Sequence, residues 1–172
     1  MSCIIVEGRE IDCADSAGGV AEIYVTEFTN LTQSQLVASS GSITSMSLIA
    51  GKKFWTYKLE KGNAQFDEKT VRSVDNGTTF HEQSLTFNLK KLSAKMRNDV
   101  YTLAQVRTLW IVKDNNGLIK LLGQVGGMDL GEATASTGKS FGDLNGSTIT
   151  FTGMEKEPAN IMSDAILAAL LV

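Results

Sequence analysis

The stretch Ala133-Thr-Ala-Ser-Thr-Gly138-Lys139-Ser140 comes closest to a chemical motif. It fits a loosened phosphate-loop pattern, with Ala in place of the first Gly ahead of Gly-Lys-Ser. Such a loop works because its backbone N–H groups surround phosphate oxygens, Lys neutralises charge and a helix begins directly behind it. Here Phe141-Gly-Asp-Leu-Asn-Gly146 places two glycines and a turn dipeptide where that helix should start, and no buried parallel strand leads in. The stretch is read as a loop without a nucleotide.

His81 is the one histidine, so any Ser/His/Asp or Cys/His machinery must pass through it. It stands beside Glu82 in a strand-like run and is read as a surface strand residue. Glu60, Asp67 and Glu68 could pair across strands, but Lys58, Lys61 and Lys69 beside them point to solvated ion pairs. Asp12 and Asp15, near Gly18-Gly19, lack the dense oxygen-ligand spacing of a calcium loop. Cys3 and Cys13 with His81 are too few for a disulfide framework or a four-ligand zinc site, and are read as reduced thiols of a cytosolic product. Phe54, Trp55 and Tyr57 could be a ligand platform; aromatics alternating along a strand are read instead as a core face plus an interface residue. The expectation is therefore no catalytic residue, no cofactor and no metal.

The elements around these residues are mostly strands. In Thr78–Lys90, Leu85, Phe87 and Leu89 share one face while Ser84, Thr86 and Asn88 share the other, the pattern of a strand with one wet side. Leu92-Ser93 then opens a helix over about 93–107, with Leu92, Met96, Val100, Leu103 and Ala104 at helical spacing. Leu109–Val112 reads as a strand running into an Asp114-Asn-Asn-Gly117 turn, and Leu118–Gln124 as its return. Upstream, Val20–Phe28 alternates as a strand, and residues 29–51, almost uncharged, suggest a strand pair around an extended loop. Phe54–Leu59 and Ala64–Val74 read as two antiparallel strands. Downstream, Gly126–Gly146 has few apolar anchors, and Asn145-Gly146 reads as a hairpin turn into a closing strand, Ser147–Gly153. Pro158 stops that strand. A C-terminal helix over about 160–172, capped by Asn160 or Ser163, carries Ile161, Ile166, Leu167, Leu170 and Leu171.

A chain of 172 residues with 42% hydrophobic and 20% charged residues suits one domain with a real core. A net charge of −3 argues against gripping nucleic acid through its phosphates, which needs clustered Lys and Arg. No basic region followed by an apolar one marks a signal peptide at the N-terminus. The last apolar run, Ala165–Val172, is short of the roughly 20 residues that span a bilayer, so no membrane is expected. The residues alone lead to a mostly β, single-helix domain and stop short of a function.

Function enters through a resemblance. Leu85-Thr-Phe-Asn-Leu-Lys-Lys-Leu92, the helix to Arg107, Trp110-Ile-Val-Lys-Asp-Asn-Asn-Gly117 and Leu121-Leu-Gly123 resemble structural proteins of tailed phages, chiefly ones infecting Bacteroidetes. Thr137-Gly-Lys-Ser-Phe-Gly-Asp-Leu-Asn-Gly146 with Ile149-Thr-Phe-Thr-Gly153-Met-Glu155 looks like the same family's C-terminal signature. The resemblance spans Phe54 to Pro158 and points to tail tube proteins. It implies an antiparallel β-sandwich or barrel with one flanking helix, as a single domain over residues 1–172 with an extension at about 1–19. It further implies rings, usually hexameric, stacked into a DNA conduit in the virion tail, after synthesis in the host cytoplasm. The implied partners are ring neighbours, other tail or head-completion proteins, and genomic DNA passing without sequence-specific contact. Another virion part, such as a head-completion, tail-terminator or capsid-decoration protein, is the competing reading; a small β-sandwich ligand-binding module is the third. On the tube reading, residues 29–51 and 129–145 order only against neighbouring subunits, and the C-terminal helix docks on an adjacent one. The expected assembly residues are Ser39, Ser42, Ile43, Met46, Thr137, Phe141, Ile166 and Leu170.

Overall fold

A computed structural model describes Gly8 and residues 14–171. In chain order the elements are β1 (Val20–Glu27), β2 (Leu36–Ser39), β3 (Ser42–Met46), β4 (Trp55–Tyr57), β5 (Ala64–Ser73), β6 (Thr78–Lys90) and α1 (Ala94–Leu103). There follow β7 (Thr108–Asp114), β8 (Ile119–Leu122), β9 (Asp129–Ser136), β10 (Gly146–Glu155), β11 (Asn160–Met162) and α2 (Asp164–Leu171). A seven-stranded sheet runs β2-β3-β11-β8-β7-β1-β4, and a four-stranded sheet runs β5-β6-β10-β9. The fold is mainly β, with two sheets, one main helix and a short C-terminal one; the sheets do not close into a barrel.

The larger sheet is buried on both faces, which explains why Leu109–Val112 is continuously apolar rather than alternating. Trp110 and Val112 point to a core shared with Leu85, Phe87, Ile149 and Phe151 of the smaller sheet. Leu109 and Ile111 point the other way, to a second core with Ile43, Met46, Phe54, Leu167 and Leu170. In the first core, Trp110 lies 4.8 Å from Phe151 and 5.4 Å from Phe87, centroid to centroid. Its indole N–H donates to Thr108 Oγ1 at 2.8 Å, and that hydroxyl donates to the Met128 carbonyl at 2.9 Å, so the buried donor is satisfied. The smaller sheet keeps its other face wet: Thr86 and Thr150 hydroxyls meet at 3.0 Å, and Thr148 donates to Asn88 Oδ1 at 2.7 Å.

The organising unit forms much as its pattern predicts. β6 turns into α1 through Lys91, in the left-handed region at φ 66°, and Ser93 caps the helix by accepting from the Met96 N–H at 3.2 Å. The helix ends at Leu103, short of Arg107. Asp114 closes the β7–β8 turn, its carboxylate accepting from the Asn116 and Leu118 N–H groups. Residues 29–51 do hold a strand pair, β2–β3, but it turns at Ser40 and Gly41, both left-handed as a tight I′ hairpin requires, and not around an extended loop.

Other expectations fail. β4 and β5 do not pair with each other: β4 joins β1 in the larger sheet and β5 joins β6 in the smaller, because the chain crosses between layers at residues 58–63. The segment Gly126–Gly146, read as poor in apolar anchors, contains β9, held by its ladder to β10. Both segments expected to order only against neighbours are thus ordered within the chain. Asn145-Gly146 is not a hairpin turn either. Gly146 begins β10, paired with both Lys90 and Ser136, where a Cβ would come within 2.1 Å of the Leu89 carbonyl oxygen. Finally, Asn160–Met162 is strand β11, paired with β8 and bridged to β3, so the last helix starts at Asp164. That helix docks on its own domain rather than on an adjacent subunit, with Leu167 and Leu170 about 4–5% exposed in the second core.

Candidate assembly interface

Three of the eight expected assembly residues are unavailable to a neighbour. Ile43, Met46 and Leu170 are buried in the second core, where α2 packs on the larger sheet, of which β3 is a strand. Ile166 is half-buried beside them. Ser39 and Ser42 flank the β2–β3 turn in solvent, and Thr137 and Phe141 lie exposed on the β9–β10 connection. The structure does not gather the eight into one surface.

The β9–β10 connection settles how Gly138-Lys139-Ser140 is used. Asp143 Oδ2 accepts from the N–H groups of Lys139 and Ser140, each at 2.8 Å, and no helix follows. The amides that would face a phosphate are taken by a carboxylate. Those bonds, Ser140 first and Lys139 next, hold Asp143 below the usual carboxylate range. Phe141, fully exposed, stands at the tip of this closed turn.

His81 is not a surface residue. It is 8% exposed, with Nδ1 3.0 Å from Thr70 Oγ1, on the inner face of β6. Beside it Gln83 donates to Glu68 Oε1 and accepts from the Gly123 N–H, while Glu155 accepts from the Val125 and Gly126 N–H groups. Ala159 N–H also donates to Glu68. Sequence reading missed this network, although the Leu85/Phe87 alternation carried two and four residues back lands on Gln83 and His81. Of the acids expected to pair with neighbouring lysines, Glu60 pairs with Lys90 instead, and Lys69 pairs across the strands with Glu82 at 3.7 Å. Asp15 is exposed, while Cys3, Asp12 and Cys13 lie outside the described residues. Of the aromatics, Phe54 is buried, Tyr57 packs on the first core and Trp55 is exposed beneath Lys53, 4.8 Å from its ring. Burial first, and the Asp99 charge second, raise the Tyr57 hydroxyl above its ordinary range.

The surface most suited to a partner is the smaller sheet. β5 and β9 each pair on one side only among the described residues. β5 is charged along its edge, with Asp67, Lys69 and Arg72. β9 is not: Ala133-Thr-Ala-Ser136 is exposed, extended and uncharged. All three ladders of this sheet are antiparallel, so β9 of one copy set against β5 of the next would continue the alternation. The register puts Asp67, Glu82, Asp129 and Glu132 with Lys69 and Lys90 on the outer face, around the Ser/Thr rows.

No family model, curated protein or solved structure matches the chain.

Proposed function

We propose that this protein is a structural subunit of a phage virion, a tail tube protein whose copies join edge to edge into rings that stack into a DNA conduit. The observation that carries the reading is the edge strand β9, exposed and uncharged over Ala133–Ser136, at the opposite side of the smaller sheet from β5. A head-to-tail contact of this kind generates a closed ring when the rotation closes. The outer face of the same sheet supports a lumen lining: hydroxyl rows with more carboxylates than ammonium groups repel phosphate rather than hold it. Other tail or head-completion proteins are the partners expected at the tube ends.

Negative-stain microscopy of the concentrated protein tests this, with rings or tubes expected and discrete monomers counting against it. Proline at Thr134 or at Ala135 sharpens the test. One of two neighbouring N–H groups in an edge strand faces outward, and Pro there spares the β9–β10 ladder while blocking the next copy. One of these variants is expected to stay folded and to form no tubes.

A further inference from the structure

The chain contains three Asn-Gly pairs, Asn76-Gly77, Asn116-Gly117 and Asn145-Gly146. A glycine after asparagine has no side chain to shield its backbone nitrogen, so that nitrogen can attack the asparagine side-chain carbonyl and displace ammonia. All three asparagines are exposed, so solvent access does not separate them. Their surroundings do.

Asn116 has its side-chain amide tied at both ends. Its Oδ1 accepts from the Ala17 N–H at 2.8 Å, and its Nδ2 donates to the Ala17 carbonyl at 2.9 Å and to Ser16 Oγ at 3.3 Å. The turn that carries it joins β7 to β8, two strands with neighbours on both sides. Asn145 Oδ1 accepts from the Leu92 N–H at 3.2 Å, and its own carbonyl accepts from the Lys91 N–H at 2.6 Å. Gly146 behind it is buried and paired with both Lys90 and Ser136, which holds the attacking nitrogen inside a three-stranded ladder.

Asn76 differs on each count. Among the described residues its side-chain amide makes no hydrogen bond; its backbone N–H donates to Ser73 Oγ at 3.3 Å. The Gly77 N–H reaches the Val74 carbonyl at 3.3 Å, longer than a usual N–H···O bond. The loop Val74–Gly77 also stands at the tip of a ribbon. β10 covers β6 only as far as His81, paired with Glu155, so Val71–Phe80, Arg72–Thr79 and Ser73–Thr78 pair without a third strand. A two-stranded ribbon is marginal by itself, so its tip opens at little cost.

We propose that the fold singles out Asn76 as a site of spontaneous deamidation, with water as the co-reactant. The Gly77 nitrogen loses its proton and bonds to Asn76 Cγ; the Cγ–Nδ2 bond breaks, and Nδ2 leaves as ammonia with a proton gained. Water then opens the cyclic imide, its hydroxyl going to a carbonyl carbon and its proton to the nitrogen. Attack at Cγ gives aspartate. Attack at the main-chain carbonyl gives isoaspartate, with the chain running through the former side chain. No group is oxidised or reduced. Either product adds a carboxylate beside Asp75, and isoaspartate lengthens the Val74–Gly77 loop by a methylene. Water does not restore the amide, so the modified fraction records the time since synthesis.

Full-length protein held in mildly alkaline buffer, sampled over time, digested and mapped by mass spectrometry tests this. In the folded protein Asn76 is expected to convert several-fold faster than Asn116 and Asn145, with its isoaspartate and aspartate peptides resolved by chromatography. In guanidinium chloride, where the contacts of the fold are gone, the three rates are expected to converge. Asn76→Gln, whose longer side chain closes the corresponding ring far more slowly, should remove the signal and leave the other two rates unchanged. An Asn76 that keeps its amide in the folded chain while converting in the unfolded one overturns the proposal. Equal conversion of the three in the folded protein does so too. The same Asn76 lead in both states also overturns it, since neighbouring residues and not the fold would then select the site.

Discussion

The backbone N–H of Phe54 donates to the carbonyl oxygen of Leu170 at 3.1 Å, tying the approach to β4 to the last turn of α2. Both side chains are buried in the same core, so α2 belongs to the monomer's stability. Leu167→Ala and Leu170→Ala are each expected to cost about 2–5 kcal/mol in urea unfolding. Truncation after Pro158 should lower the monomer's melting temperature, and an unchanged melting temperature would mean that the helix is anchored elsewhere.

Thr108 stands between Trp110 and the Met128 carbonyl, satisfying both. Thr108→Val keeps the shape and removes the hydroxyl, leaving a buried indole N–H without its acceptor. The expected loss is about 1–3 kcal/mol, with the denaturant slope unchanged. A neutral substitution would show that the indole finds another acceptor.

Glu155 is 5% exposed and receives two backbone N–H groups from the turn at Val125-Gly126. Glu155→Ala is expected to destabilise by about 1–3 kcal/mol, and Glu155→Gln, which keeps an acceptor oxygen, by less. Equal losses would assign the effect to packing instead.

Asp143 has its acidity strengthened by the two N–H bonds it accepts. A carboxyl whose folded value is depressed adds its stabilisation above the unfolded value, near 3.8, and loses it as pH falls through the lower folded value. The Lys139 and Ser140 amide resonances should therefore hold steady down to about pH 4 and shift only below it. A midpoint above pH 4 contradicts the closed turn.

Lys139 contributes its backbone, not its ammonium group, to that turn. Lys139→Ala is expected to leave the fold and any assembly intact. ATP turnover that disappears with this substitution is the result that would restore a nucleotide site.

Period-two alternation made β6 legible, because a strand with one wet face must write that asymmetry into its residues. The same reasoning found α1, its Ser93 cap and the β7–β8 turn, whose capping and turn interactions are local in sequence. It failed for β9, whose strand state comes from the β10 ladder rather than from any apolar stripe of its own. It also failed for His81, since a polar side chain on a buried face looks like a surface residue until its partner Thr70 is in place.

The candidate interface divides the same way. Read alone, Ile43, Met46 and Leu170 were apolar residues in segments with no evident cover, and a neighbouring subunit was one way to cover them. Only the tertiary structure showed that β3, as a strand of the larger sheet, and α2 share the second core. The chain's order of residues was sufficient for the mainly β class, the flanking helix and the β7–β8 turn, because each depends on side chains a few positions apart. Which sheet each strand joins, where the last helix docks and that Ala133–Ser136 of β9 is left at an exposed edge depend on contacts between residues far apart in the chain, and only the packed fold brings those together.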